Sequence, residues 1–262
     1  MTQPDGGKWK FGLSALVVGA AHPMGTSCDG VATPGSGSYT GTIVAPSGAL
    51  VAYTLAPVLF GRSWVTRQCM ATPGGMDEFA VEPYLFASLA IASKKISGPG
   101  LPAAGLSWTY AYGAPNQCWA YSAGAGTGGV PCTANSPVTR STVVTDPDGG
   151  RVRYTFGNRY EIDEGLLLKE EHGWNGTSAL RTVAFEYADP EAPPYAALNG
   201  ASIRNQGDYD ITSLKRPQRK VTTIQQGRFF IWEVATGCGG LPYCFDADAR
   251  PTQVVKSSGA VQ

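Results

Sequence analysis

A chain of 262 residues with 43% apolar and 15% charged residues has the make-up of a globular protein, long enough to bury a core. Its 20 basic and 20 acidic residues cancel, so the electrostatic footprint expected for nucleic acid or an acidic membrane surface is absent. The 34 glycines and 19 prolines favour many short strands joined by turns over helices.

No signal peptide pattern is visible from Met1 onward, and the apolar run at 13–21 is far too short to span a bilayer. A hairpin motif then recurs. Pro4-Asp5-Gly6 is followed five residues after the glycine by Phe11. A clearer unit turns through Pro46-Ser47-Gly48 and continues with Val51, Tyr53 and Leu55 in alternation. The most complete unit spans 142–156. There Val143 and Val144 lead into Asp146-Pro147-Asp148-Gly149, and Val152, Tyr154 and Phe156 alternate with Arg151, Arg153 and Thr155. Proline presets the first corner residue, aspartate caps its own backbone, and glycine supplies the positive φ that closes the corner. A shift of 101 residues lays Pro46 on Pro147, Gly48 on Gly149 and Tyr53 on Tyr154. A weaker copy has Gln225 in place of the proline and pairs Gly227 with Trp232. The intervals between copies are irregular, which excludes a solenoid of one period.

Between the copies lie glycine-rich insertions. Residues 76–93 are the only candidate helix, limited by Pro83 to at most two turns after Tyr84. The segments 94–96 and 106–112 read as strands, 161–171 and 180–187 as a strand pair around Gly173-Trp174-Asn175-Gly176, and 189–207 as an extended surface crossover. The organisation expected is an irregular β region at 1–112 with two repeat hairpins, a Gly-rich, Cys-flanked loop at 113–140, and a more regular β region at 141–262; the three together are also compatible with one domain.

Six cysteines, Cys28, Cys69, Cys118, Cys132, Cys238 and Cys244, contain no Cys-x-x-Cys pair, and the only histidines are His22 and His172, so no zinc site is expected. Cys118 with Cys132, and Cys238 with Cys244, close short polar loops and read as disulfides, leaving Cys28 with Cys69; buried thiols are the competing reading.

Catalytic chemistry finds little footing. There is no Gly-x-Ser-x-Gly elbow, and His172 sits beside a turn. Glu161, Asp163, Glu164, Glu170 and Glu171 fall, by alternation, on a solvent face rather than across a cleft. Asp246 and Asp248, with Asp208 and Asp210, lack the spacing of a calcium loop, and the glycine run at 124–129 lacks the end of a phosphate loop. No cofactor is expected. Aromatic residues are in surplus: Trp108, Tyr110 and Tyr112 alternate as one face of a strand, whereas Trp119 and Tyr121, inside a cysteine-closed loop, are the candidates for an exposed stacking surface.

The units ending in Gly-x-x-x-x-Tyr-Thr, best seen in Asp146-Pro147-Asp148-Gly149-Gly150-Arg151-Val152-Arg153-Tyr154-Thr155-Phe156, resemble the YD-repeat (Rhs) family of secreted bacterial proteins. Segments 166–182 and 245–254 resemble further units, so the resemblance covers about half of the chain, mainly after residue 140. It implies a structural role, since arrays in that family wind into a β-shell around a toxin or form surface scaffolds. It carries over no catalytic residue: the family's aspartate-based self-cleavage element has no counterpart here, Asp146-Pro147 being a turn.

The expected fold is therefore mainly β, with antiparallel hairpin repeats forming a twisted sheet or partial β-shell and long Gly/Pro-rich loops. Three functions follow as expectations. The leading one is a non-enzymatic scaffold or self-assembling subunit of the bacterial exterior. The others are a glycan- or cell-surface-binding module using the loop near Trp119, and a shell segment of a toxin. The chain opens and closes on half hairpins, which suggests either head-to-tail pairing with other copies or continuation within a longer polypeptide. Partners in nucleic acid and a membrane span are not expected.

Overall fold

A computed structural model describes residues 6–15, 37–71, 77–114, 137–158, 163, 165–189, 194–195 and 216–261, with the backbone alone between 59 and 88. Twelve strands form one antiparallel sheet in which each pairs with its sequence neighbours, from β1 to β12. They are β1 (Lys10–Gly12), β2 (Tyr39–Val44), β3 (Leu50–Ala71), β4 (Asp77–Ser97), β5 (Leu106–Tyr112), β6 (Thr139–Thr145), β7 (Arg151–Gly157), β8 (Leu167–His172), β9 (Arg181–Tyr187), β10 (Gln218–Gln225), β11 (Arg228–Val234) and β12 (Val254–Ala260). The antiparallel β reading of the sequence is thus correct. β5 pairs directly with β6, from Thr109 opposite Thr145 to Tyr112 opposite Thr142, so the sheet is continuous across the glycine-rich insertion.

The turns explain the register. At 45–49 and at 146–150 the same two backbone bonds recur: Gly48 N–H to Ala45 O (2.9 Å) with Ala45 N–H to Ala49 O (2.8 Å), and Gly149 N–H to Asp146 O (3.1 Å) with Asp146 N–H to Gly150 O (2.8 Å). Gly48 and Gly149 have φ of 83° and 81°, the left-handed corner of a turn followed by a bulge. Asp146 Oδ1 accepts the Asp148 N–H at 3.1 Å, the local cap its position suggested. A further turn of this kind closes at Asp246, where Ala249 (φ 64°) stands in the glycine position. The turn at Gly227 differs. Gln226 and Gly227 both have positive φ, and Gln225 pairs with Arg228, so a tight two-residue turn replaces the longer frame.

The helix expectation fails. The segment predicted to hold a short helix after Tyr84 is strand throughout, in β4. Its apolar run has no period that decides between helix and strand. A partner strand decides it, with β3 and β4 in register from Leu50 opposite Ser97 to Ala71 opposite Asp77. β2 accompanies β3 only as far as Leu55, and β5 accompanies β4 only as far as Ser93. Beyond those residues the two strands continue as a ribbon about 50 Å long, at about 3.3 Å per residue. Pro57 and Pro83 both fall in this ribbon, where each strand has one side unpaired and a missing N–H is tolerated. The strand pair expected at 161–171 and 180–187 is shorter, confined to β8 and β9. Within the proposed surface crossover, Tyr195 is buried.

Little of the sheet is enclosed. Among the described residues the one buried cluster gathers Ala188, Tyr195, Val234, Cys244 and Phe245 at the end of β11, with the Tyr195 and Phe245 rings edge to face at 5.6 Å. A single 3-10 turn at Cys238–Gly240 leads into it, and Cys238 and Cys244 are disulfide-bonded, as their spacing suggested.

On the opposite side of the sheet, Arg153 of β7 faces Glu171 of β8, and its Nε donates to Glu171 Oε2. Lys169 Nζ lies 3.3 Å from the other carboxylate oxygen, and the Trp174 ring lies 3.5 Å from the Arg153 guanidinium. Glu171 is buried, contrary to the solvent position that alternation suggested. Burial pushes its carboxyl pKa up, but the bonds from Arg153 and Lys169 outweigh this and hold it below the ordinary 4.5. A depressed folded-state value contributes stability that is fully present above the unfolded pKa and is lost as pH falls through the folded one. Glu171→Gln is expected to cost about 2 kcal/mol, under the buried-pair range because Arg153 is partly in water. Thermal melts of wild type and variant should converge as pH drops below 4.5; parallel curves down to strong acid would contradict the pairing. Gly149→Ala, strained by its φ alone because the space beside it is open, is expected to cost about 1 kcal/mol in the same assay.

Candidate functional site: an aromatic sheet face

Residues directly opposite in an antiparallel pair point to the same side, and neighbours along a strand point to opposite sides. The registers carry this parity across the sheet. Phe11 faces Ile43, Ile43 faces Val51, and Tyr53 faces Lys94, which faces Trp108. Tyr110 faces Val144, Thr142 faces Tyr154, Tyr154 faces Glu170, and Glu170 faces Val183. Phe185 faces Val221, which faces Trp232, which faces Lys256. One side therefore collects most of the strand aromatics, while the other collects Thr42, Thr109, Arg153, Glu171, Thr182, Lys220 and Glu233, joined by Ile224, Phe229 and Ile231 at the β10–β11 hairpin.

The repeat anchors belong to this geometry. Gly6, Gly48, Gly149 and Gly227 all have positive φ. Phe11, Tyr53, Tyr154 and Trp232, each five residues later, all stand on the aromatic side. Pro46 and Pro147 occupy the first corner of their turns. Trp108, Tyr110 and Tyr112 share one face, and burial along β5 alternates accordingly. Of the other candidates, Trp119, Tyr121, Cys28, Cys118 and Cys132 lie outside the described residues, as do Glu161, Glu164, Asp208, Asp210 and His22; for Cys69 only the backbone is described.

Among the described residues no strand aromatic on this side is buried. Phe11 and Phe230 are 53% and 49% exposed, and Tyr53, Trp108, Tyr110, Tyr112, Tyr154, Phe156, Phe185 and Trp232 are half-buried by their neighbours. Two hollows mark the face. One, about 400 Å³, is walled by Tyr110, Tyr112, Arg140, Thr142, Tyr154, Phe156 and Asn158. The other, about 450 Å³, lies against β12 between Phe230, Trp232, Lys256 and Ser258. Cations lie over several rings: Lys94 Nζ is 3.7 Å from the Trp108 ring centre, and the Arg140 guanidinium is 6.0 Å from that of Tyr112. Burial pushes the Tyr112 and Tyr154 hydroxyls above their ordinary value, with Tyr110 adding to both and the Glu170 carboxylate adding to Tyr154.

His172 Nε2 lies 3.3 Å from Glu170 Oε2 at the edge of the face. Among the described residues no cluster of three His, Cys, Asp or Glu side chains is placed to hold a metal ion. Asp246 and Asp248 are engaged by Arg250, whose Nε and Nη2 approach them at 2.8 Å. The Arg250 backbone N–H, its guanidinium and the Asp248 N–H together hold the Asp246 carboxyl below its ordinary value. Sequence reasoning singled out the residue five positions past each glycine, and Phe156 by alternation, but missed Phe185, Phe230 and Arg140. The signal for Phe230 was present, since it lies three residues past its turn glycine and odd offsets share a face.

Comparison with protein-family models, with curated proteins and with solved structures finds no match to this chain. An open aromatic face should bind a hydrophobic dye such as ANS in the folded state. The double change Tyr154→Ser and Phe156→Ser is expected to lower that fluorescence while leaving the strand signature in far-UV circular dichroism; dye binding unchanged by it would place the exposed apolar surface elsewhere.

Proposed function

We propose that this chain is a non-enzymatic structural module, a stretch of β wall continued at its edges by further strands. The observation that carries this reading is the outer edge of β12. Its seven residues are exposed along nearly the whole strand, contain no proline, and pair only with β11 among the described residues. Val254 and Val255, one on each side of the sheet, are 41% and 46% exposed. Such an edge is a template for an added strand.

The strand count favours a second copy as the added partner. Directions alternate through twelve strands, so β12 runs opposite to β1. The β1 strand of another copy laid along β12 continues the antiparallel order, and with its Phe11 opposite Lys256 it also continues the aromatic face. This is the scaffold role that the YD-repeat resemblance implies; the same wall serves as a shell segment if the added strands come from a longer polypeptide. The Cys238–Cys244 disulfide supports an oxidising setting such as the bacterial exterior. Among the described residues no helix is long and apolar enough to cross a membrane.

Light scattering and electron microscopy over a concentration series test the reading. Open assemblies whose mass grows with concentration are expected. Ser257→Pro and Ser258→Pro remove N–H groups that point to opposite sides of β12, so one should block assembly and leave the monomer folded, while the other weakens the β11–β12 pair. A wild-type chain that remains monomeric and instead binds a glycan array would replace self-assembly with a recognition role.

A further inference from the structure

The turn joining β8 to β9 is organised around one side-chain amide. Asn175 Oδ1 accepts three hydrogen bonds, from the Ser178 N–H at 2.8 Å, the Thr177 N–H at 3.0 Å and the Thr177 hydroxyl at 3.1 Å. Its Nδ2 donates to Ser178 Oγ at 3.0 Å. The next residue is Gly176, whose own N–H donates no hydrogen bond among the described residues. Nothing lies within 4 Å of the place its Cβ would take, and both residues are exposed to water.

We propose that Asn175 is a site of fold-assisted backbone rearrangement. Solvent base takes the Gly176 N–H proton, and that nitrogen forms a bond to Asn175 Cγ. The carbonyl electron pair moves onto Oδ1, where the two N–H groups and the hydroxyl bear the charge in the manner of an oxyanion hole. When the tetrahedral centre collapses, the Cγ–Nδ2 bond breaks and ammonia leaves with a proton from water. The five-membered imide that results is opened by water at either carbonyl, leaving aspartate or isoaspartate at position 175. Water is the sole co-reactant, and no oxidant, metal or enzyme is required.

The position gives the change a structural reach. An isoaspartyl link adds a methylene to the backbone between Trp174 and Gly176. It strains the Asn175 N–H to Ser178 O bond (3.1 Å) and the neighbouring Trp174 N–H to Arg151 O bond (2.9 Å). Those bonds seat the Trp174 ring against Arg153, the partner of buried Glu171. The rearrangement therefore loosens the lock between β7 and β8 and adds a negative charge beside it.

The chain carries its own reference, since Asn199-Gly200 is the other Asn-Gly pair. Peptide mapping by mass, with isoaspartate detection, would follow both sites in the folded chain and in urea at mildly alkaline pH, with Asn199 in urea reporting the intrinsic rate. Asn175 is expected to react faster folded than unfolded. Thr177→Val, which removes the hydroxyl donor but neither N–H, should slow the folded rate about fivefold, the equivalent of one hydrogen bond of about 1 kcal/mol, and leave the rate in urea unchanged. A folded rate equal to or below the rate in urea overturns the proposal, as does a Thr177→Val change that alters both rates alike or neither.

Discussion

Strand parity is the constraint on which this structure depends. A residue in the left-handed region at a hairpin corner ends one strand and starts the next at a set phase, and from there every side chain is committed to one side. In this sheet the corner glycines at 48 and 149 set that phase, and the residue five positions on is aromatic. Register then carries the phase from strand to strand, with local shifts at bulges in the β3–β4, β7–β8 and β9–β10 pairs. A slip of one residue in any hairpin would send its tyrosine or tryptophan to the charged side.

The result is a sheet sided like half of a sandwich. The polar side is closed by its own ion pairs, with Arg153 and Lys169 on Glu171, and Arg219 and Lys220 on Glu186. Among the described residues the aromatic side is closed at the β11 end, where Tyr195 and Phe245 pack beneath the disulfide-bonded turn. Cation–ring contacts, such as Lys94 on Trp108, shield part of the remaining apolar area without removing it from water. Contiguous apolar surface on this scale marks a place where other polypeptide packs, which is why a wall continued in assembly is the reading argued above.

The long β3–β4 ribbon adds a second demand of the same kind. A two-stranded hairpin is marginally stable alone in water. Here its base is flanked by two neighbouring strands, β2 and β5, while its outer part relies on the pairing of β3 with β4. Both prolines lie beyond that support, Pro57 two residues past Leu55 and Pro83 ten residues from Ser93, because a proline in a strand flanked on both sides would leave a ladder bond unmade.

What the sequence determined by itself was local. Asp146-Pro147-Asp148-Gly149 specified a corner through fixed φ, a side-chain cap and a left-handed glycine, and the alternation after it specified a strand with Tyr154 on its apolar side. Such interactions span only a few residues and can be read from spacing. Tertiary structure decided the rest. The segment after Tyr84 became strand rather than a short helix because β3 lay beside it, a partner no local pattern names. Glu171 became buried rather than solvated because Arg153 and Trp174 closed over it. Tyr110, Arg140 and Tyr154 became one wall because two separate registers agreed. Pairing between strands distant in sequence supplies the energy for those outcomes, and its partners become known only when the sheet has formed.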